Sequence, residues 1–262
     1  MECQKIVDKI VGWLDDYAGR CGVQGFVVGI SGGVDSALCS TLAAMTGRKV
    51  VCVSLPIHQA AAQVSRGDEH IAWLKGKFAN VESAVADLTE PYEALLAALP
   101  KTDDIAKQQL TEANTRSRMR MTTLYYYAGL SSLLVVGTGN KIEDFGVGFY
   151  TKYGDGGVDI SPIADLTKSE VFALSAYLGV CESILSAKPT DGLFGDDRSD
   201  EDQIGASYPE LERAMAAWES GATADEFEGR EREVFEIFLR RNRANRHKME
   251  PIPICPIPTE WK

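Results

Sequence analysis

Residues Gly29 to Ser36 read Gly-Ile-Ser-Gly-Gly-Val-Asp-Ser, placed between the apolar run Phe26-Val27-Val28 and a helix-compatible stretch from Ala37 to Met45. A strand, a glycine-rich turn and a helix start follow one another without a spacer. Adjacent glycines admit backbone conformations closed to other residues and bring N–H groups close to an anion, where a helix N-terminus adds positive potential. The ligand this arrangement predicts is a phosphate chain. Ser31 and Ser36 can donate further hydrogen bonds to phosphate oxygens, whereas the Asp35 carboxylate would repel them unless a cation lies between. The loop therefore implies Mg2+ accompanying a nucleotide.

The spacing excludes two commoner nucleotide loops. A Gly-x-x-x-x-Gly-Lys-Ser/Thr loop needs a lysine that is missing here, and Gly-x-Gly-x-x-Gly finds no register within residues 29–36. Across 262 residues the formal charge is −11 and the isoelectric point is near 4.8, which disfavours a general nucleic-acid binder. No apolar run reaches membrane-spanning length, and the start of the chain lacks a signal-type apolar core. Six scattered cysteines at 3, 21, 39, 52, 181 and 255 show no metal-ligand spacing and read as buried thiols of a reducing compartment. A cytoplasmic location without a membrane partner is expected.

Hydrophobic periodicity predicts a helix over residues 2–19, a strand over Lys49 to Leu55, a helix from Ala61 to Phe78 and a strand over Val81 to Ala86. Residues 100–113 lack a clear apolar stripe and read as a mobile segment. Arg116 to Gly129 reads as a helix, and Leu133 to Val136 as a strand ending in Gly137-Thr138-Gly139-Asn140. After a glycine-rich loop at 146–157, helices are expected at 167–178, 208–218 and 229–244, with an exposed charged loop at 191–203. Prolines keep the tail from Pro251 to Pro258 extended. Strands alternating with helices point to an α/β fold, doubly wound, with a mostly parallel sheet and helices on both faces. No linker divides the chain, so a single domain over 1–262 is expected. Ligands of such sheets bind beyond the carboxyl ends of strands.

Ser-Gly-Gly-x-Asp-Ser resembles the pyrophosphate loop of ATP pyrophosphatases, which cleave ATP between its α- and β-phosphates. Four further segments narrow the resemblance. Asn114 to Met121, Gly137 to Glu143, Thr151-Lys152-Tyr153-Gly154-Asp155-Gly156-Gly157-Val158-Asp159-Ile160 and Thr167-Lys168-Ser169-Glu170-Val171 look like ammonia-dependent NAD synthetase. The similarity runs from about Gly29 to His247-Lys248. It implies an adenine nucleotide α-hydrolase-like fold. It also implies a C–N ligase that adenylates deamido-NAD with ATP, releases pyrophosphate, and lets ammonia displace AMP.

Position by position, the resemblance places ATP on Gly29, Ile30, Ser31, Gly32, Gly33, Val34, Asp35, Ser36, Thr138, Lys168 and Thr190. Mg2+ falls to Asp35 and Glu143, and deamido-NAD to Arg118, Lys152, Asp159, His247 and Lys248. A carboxylate attacking a triphosphate brings two anions together, so metal and cationic side chains should dominate such a site. Several residues keep a plainer alternative. Arg116 and Arg120 flank Arg118 at i±2 and cannot share its helical face, so one of the three is a surface charge. Lys168 could be a solvated residue in a first helical turn, and His247 a solvated one among Arg243, Arg246 and Lys248. His58 and His70 read as structural or exposed.

The sequence departs from the family in the eight residues from Asp144 to Thr151, one more than in some members. Asp144 also stands where an apolar residue is common and offers a second metal-side carboxylate. Asp196 to Asp202 resembles the family's acidic loop only loosely, and its charges read as solvated. Rival readings keep the loop but change the acceptor to another nucleotide or a tRNA base, or drop catalysis for ATP binding alone. The length leaves no room for a glutaminase domain, which points to free ammonia as donor. The Tyr125-Tyr126-Tyr127 cluster reads as core or as subunit interface, and the resemblance implies a homodimer.

Overall fold

A computed structural model describes residues 1–190 and 199–262. Four strands, β1 (Gly25–Gly29), β2 (Lys49–Ser54), β3 (Val81–Val85) and β4 (Leu133–Val135), form a fully parallel sheet in the order β3-β2-β1-β4. Side-chain alternation explains why helices cover both faces. Phe26 and Val28 of β1 join one buried cluster, whereas Val27 between them joins another. The first cluster receives α1 (Cys3–Cys21), α2 (Val34–Met45), α3 (Ala61–Lys77) and α6 (Lys168–Leu178). On the opposite face, Leu124 and Ala128 of α5 (Ile105–Ser131) pack on Val27, Val51 and Val135. The parallel α/β architecture expected from the alternation of elements is the one found.

Beyond the sheet lies a third cluster. A wide, π-type helical turn over Lys141–Val147 meets α8 (Asp200–Ile204), α9 (Tyr208–Glu219) and α10 (Gly229–Met249), with Ile142, Leu211, Phe235 and Phe238 at its centre. Two further short helices belong to the body: α4 (Thr89–Ala97), which buries Tyr92, and α7 (Glu182–Leu185).

Three expectations need correction. Residues 105–113 are the first turns of α5 and not a mobile stretch, since Asp104 caps the helix by accepting from the Lys107 N–H at 3.0 Å. The missing apolar stripe reflects exposure, with Ile105 and Leu110 facing solvent. Within the charged stretch, residues 191–198 lie outside the described residues, but Ser199 caps α8 and Asp200 is buried, so this carboxyl is not solvated. Of the cysteines, only Cys39 and Cys52 are buried, because Cys21 ends a helix and Cys255 sits in the exposed tail. All six are free thiols.

His70 is fully buried behind α2, where its Nε2 lies 2.9 Å from Ser40 Oγ. The Ser40 hydroxyl donates to the Ser36 carbonyl at 2.7 Å, so the imidazole N–H is the donor of the His70 contact. Burial pushes this imidazole down to about 4, against a backbone hydrogen bond at Ala37 that favours the cation. The unfolded chain, with an ordinary histidine near 6.5, then binds more protons than the native state below that value. Stability from this residue is present above pH 6.5 and is lost as pH falls toward 4. Denaturant titrations at about pH 7 and pH 5 should differ by about 2 kcal/mol more in the wild type than in His70→Gln. Equal pH dependence in the two proteins would remove His70 as the cause.

Candidate active site at the carboxyl end of the sheet

The chain leaves β1 through α2 to build β2 and β3 on one side, then returns as β4 on the other. This reversal opens a crevice beyond the carboxyl ends of β1 and β4. The Gly29–Ser36 loop closes one wall and Gly137-Thr138-Gly139-Asn140 the other. Gly32 has φ +80°, and a Cβ there would lie 2.4 Å from the Gln63 carbonyl, so only glycine fits the turn. Within the loop the Gly33 N–H donates to Ser31 Oγ at 3.2 Å, and the Ser31 N–H to Ser36 Oγ at 3.3 Å. Loop donors and hydroxyls thus point into one small volume at the start of α2.

Asp35, in the first turn of α2, enters the crevice from one side, and Glu143, in the π-type turn, from the other. Between them stands Lys168, 3% exposed, with Nζ 2.6 Å from Asp35 Oδ2 and 2.9 Å from Glu143 Oε1. Two carboxylates from distant parts of the chain therefore converge on a single cationic centre. Asn140 sets their geometry. Its Oδ1 accepts from the Ile142 and Glu143 N–H groups, starting the turn, while its Nδ2 donates to Asp35 Oδ1 at 3.1 Å. The tight glycine turn before Asn140 has its own reason: a Cβ at Gly139 would lie 1.9 Å from Asp144 Oδ2.

Electrostatics follow from this enclosure. Burial pushes the Asp35 carboxyl up against the pull of the Lys168 ammonium. At Glu143 burial acts in the same sense, but Lys168 and the Tyr208 hydroxyl together hold its carboxyl below the ordinary value. Burial works against the Lys168 cation, and the two carboxylates more than offset it, so the ammonium stays charged. Asp144, also enclosed, is raised by burial and by Asp155 beside it. Tyr208 keeps its phenol proton, because burial and the carboxylates of Glu143 and Asp200 disfavour the anion.

Among the described residues no group of three or more His, Cys, Asp or Glu forms a metal cage. Asp35 and Glu143 bring hard oxygens together at the Lys168 ammonium. That donor set suits a magnesium ion, which is commonly held by one or two carboxylates and completes its shell with phosphate and water.

All eleven positions expected to meet ATP, from Gly29 to Ser36 with Thr138, Lys168 and Thr190, line this one cavity, as does Glu143. Lys168 is not the solvated lysine of the plainer alternative. Arg118, Lys152, Asp159, His247 and Lys248 are not part of the cavity lining. Four of them form a rim instead. Arg118 Nε donates to the Lys152 carbonyl at 3.3 Å, Lys152 Nζ donates to the His247 carbonyl at 2.6 Å, and Lys248 Nζ donates to the carbonyls of Gly148 and Tyr150. Asp159 stands apart from that rim, accepting from the Tyr125 hydroxyl and the Val135 N–H.

The three arginines of α5 separate as their spacing requires. Arg116 lies over the Tyr92 ring at 5.1 Å, Arg118 is exposed, and Arg120 faces the cavity. Arg120 donates to the Leu55 carbonyl at 3.0 Å and to Gln59 Oε1 at 2.7 Å. Sequence reasoning missed Arg120, Asn140, Asp200 and Tyr208 as site residues. Asn140 carried a signal, since it ends a glycine turn after a buried strand, and Arg120 lay in the Asn114 to Met121 segment.

Comparison with known proteins completes the description. Residues 6–252 match a family model described as NAD synthase. The chain is 36% identical over 261 residues to the NH(3)-dependent NAD(+) synthetase of Methanosarcina mazei, covering 97% of this chain and 98% of that one. Among solved structures, the NMN synthetase of Francisella tularensis superposes with a TM-score of 0.83 at 30% identity, covering 99% of both chains. The NH3-dependent NAD synthetase of Campylobacter jejuni gives 0.78 at 26% identity, covering 98% of this chain and 100% of that one.

Proposed function

The chain belongs to the NAD synthase family, and from this premise we propose that its cavity makes NAD from deamido-NAD, ATP and ammonia. It is an enzyme, a ligase forming a C–N bond. The nicotinate carboxylate attacks the α-phosphorus of ATP, pyrophosphate departs, and ammonia then displaces AMP from the adenylated carboxyl. The observation that carries this reading is the convergence of Asp35 and Glu143 on Lys168 at the mouth of the glycine loop. ATP binding alone requires no such concentration of paired charge, whereas cleavage beside the α-phosphate does.

Roles follow from position. Loop N–H groups with Ser31 and Ser36 hold the phosphates that leave. Asp35 and Glu143 would hold a magnesium ion, which would supply charge neutralisation as the carboxylate attacks the triphosphate. Lys168, a compact point charge on a flexible stem, can follow the pyrophosphate as it departs. Thr138 and Thr190 flank the nucleotide. The rim from Arg118 through Lys152 to His247 and Lys248 is assigned to deamido-NAD, as is Asp159, which stands apart from it. That rim adjoins the cavity through α5, whose Ser117 and Met121 line it beside Arg118.

The assay that tests this reading combines the protein with ATP, magnesium, ammonium and either deamido-NAD or nicotinate mononucleotide, then measures amide product and pyrophosphate. NAD formed from deamido-NAD is expected. Likeness to the Francisella NMN synthetase favours a second reading in which the mononucleotide is the acceptor, and a preference for it would replace the first. Pyrophosphate release with neither acceptor would overturn both.

We assign the enzyme to a homodimer and to the cytoplasm. Tyr127 packs into the sheet cluster, whereas Tyr126 and Leu130, one turn apart on α5, are each 66% exposed. Large apolar side chains on an exposed helix face suit a subunit contact. Sedimentation should give twice the chain mass for the wild type and the chain mass for Tyr126→Glu with Leu130→Glu. A monomeric wild type would sink the assignment. Six free thiols fit a reducing compartment, and no helix among the described residues is long and apolar enough to cross a membrane.

A further inference from the structure

Tyr208 opens α9, directly after the Ser207 cap, whose side chain pairs with Glu210. Its N–H donates to Glu201 Oε1 at 2.8 Å, tying α9 to α8, and its ring is 4% exposed within the cluster that holds Leu211 and Phe238. From that apolar packing the phenol hydroxyl meets two residues that line the cavity, Glu143 and Asp200. The hydroxyl lies 2.5 Å from Glu143 Oε1 and 3.2 Å from Asp200 Oδ2. A phenol has one proton to donate, and the shorter contact identifies Glu143 as its acceptor. The ring face meanwhile lies 4.9 Å from Lys168 Nζ, closing a third side of the ammonium's enclosure.

Lys168 and Tyr208 both donate to the same Glu143 oxygen, Oε1. The Asn140 side chain also bears on this carboxylate, and Glu143 lines the cavity. Lys168 cannot be the lasting anchor, because the proposed reaction needs its charge on the phosphates. Tyr208, locked in a packed core, does not move with it. We propose that Tyr208 is a positioning residue for the reaction: its hydroxyl holds Glu143 Oε1, so that the carboxylate keeps its place in the site after Lys168 leaves. The same bond couples the packing of α8, α9 and α10 to the metal site, although no residue of α9 is assigned to a ligand.

This inference rests on the reading of Glu143 as a metal carboxylate, and the test separates the two. Mn2+ binding is measured by electron paramagnetic resonance in the presence of α,β-methylene-ATP, for wild type, Tyr208→Phe, Glu143→Gln and the double variant. Phenylalanine keeps the ring, its packing and its face toward Lys168 and removes only the hydroxyl. Hydrogen bonds that orient metal ligands are typically worth 10–100-fold in affinity, so Tyr208→Phe should weaken Mn2+ binding by about tenfold. The magnesium concentration for half-maximal turnover should rise in step, with KM for deamido-NAD unchanged. In the Glu143→Gln background the tyrosine substitution should add nothing. Wild-type Mn2+ affinity in Tyr208→Phe, with a loss in Glu143→Gln, overturns the positioning role alone. Wild-type affinity in Glu143→Gln overturns the metal reading, and the positioning role with it.

Discussion

Asp35→Asn should abolish adenylation while leaving the sheet and its helices in place. The expected loss in kcat/KM is on the order of a thousandfold or more, since the substitution removes charge stabilisation from the point where negative charge concentrates. Little stability should go with it. The carboxylate is buried at a cost that already pushes its pKa up, and Lys168 retains Glu143 as its counter-charge. No buried cation is stranded, so the stability change should stay below the roughly 3–5 kcal/mol seen when a buried pair loses one member. Asparagine also preserves an acceptor oxygen on the Asn140 side, where Nδ2 donates to Oδ1. Pyrophosphate release and a thermal melt, measured on the same preparation, read the two effects separately. Near-normal turnover in the variant would remove Asp35 from the metal site, and with it the reason for an aspartate in an anion-binding loop.

What the sequence exposed and what it hid divide along physical lines. The parallel strands were legible because central strands buried on both faces read as apolar runs, as Phe26-Val27-Val28 and Val50-Val51-Cys52-Val53 do. The loop was legible because its chemistry is local: glycines, hydroxyls and a helix start lie within eight residues. The start of α5 was not, since a helix turned to solvent needs no apolar stripe and announces itself only by its Asp104 cap. Tyr208 and Asp200 were hidden for the opposite reason. Their surroundings are created by packing of α8 and α9 against the π-type turn, a contact that no spacing in the chain encodes. An acidic stretch reads as solvated by default, and only the fold turns Asp200 inward. The resemblance anticipated Lys168 as a phosphate contact, yet nothing in the sequence links it to Asp35, 133 positions away.

That link has a measurable consequence in Lys168→Met. Methionine fills the volume of the lysine stem but leaves Asp35 and Glu143 facing each other in an enclosed site without a cation. Losing the shared partner of two buried carboxylates should destabilise the protein by about 3–5 kcal/mol in the absence of divalent ions. Turnover should fall as well, by about a hundredfold, because the charge that follows the departing pyrophosphate is gone. The two losses respond differently to magnesium. In the wild type a divalent ion must displace an ammonium already bonded at 2.6 and 2.9 Å, so magnesium without nucleotide should move the melting temperature little. In the variant the same carboxylates are uncompensated, and anything that binds the folded form alone stabilises it by mass action. Magnesium should therefore raise the melting temperature of Lys168→Met distinctly more than that of the wild type, without restoring turnover. An equal magnesium shift in both proteins would mean that Lys168 does not occupy the cation's place. A larger shift in the variant would mean that the Lys168 ammonium holds the place a divalent ion takes beside the two carboxylates.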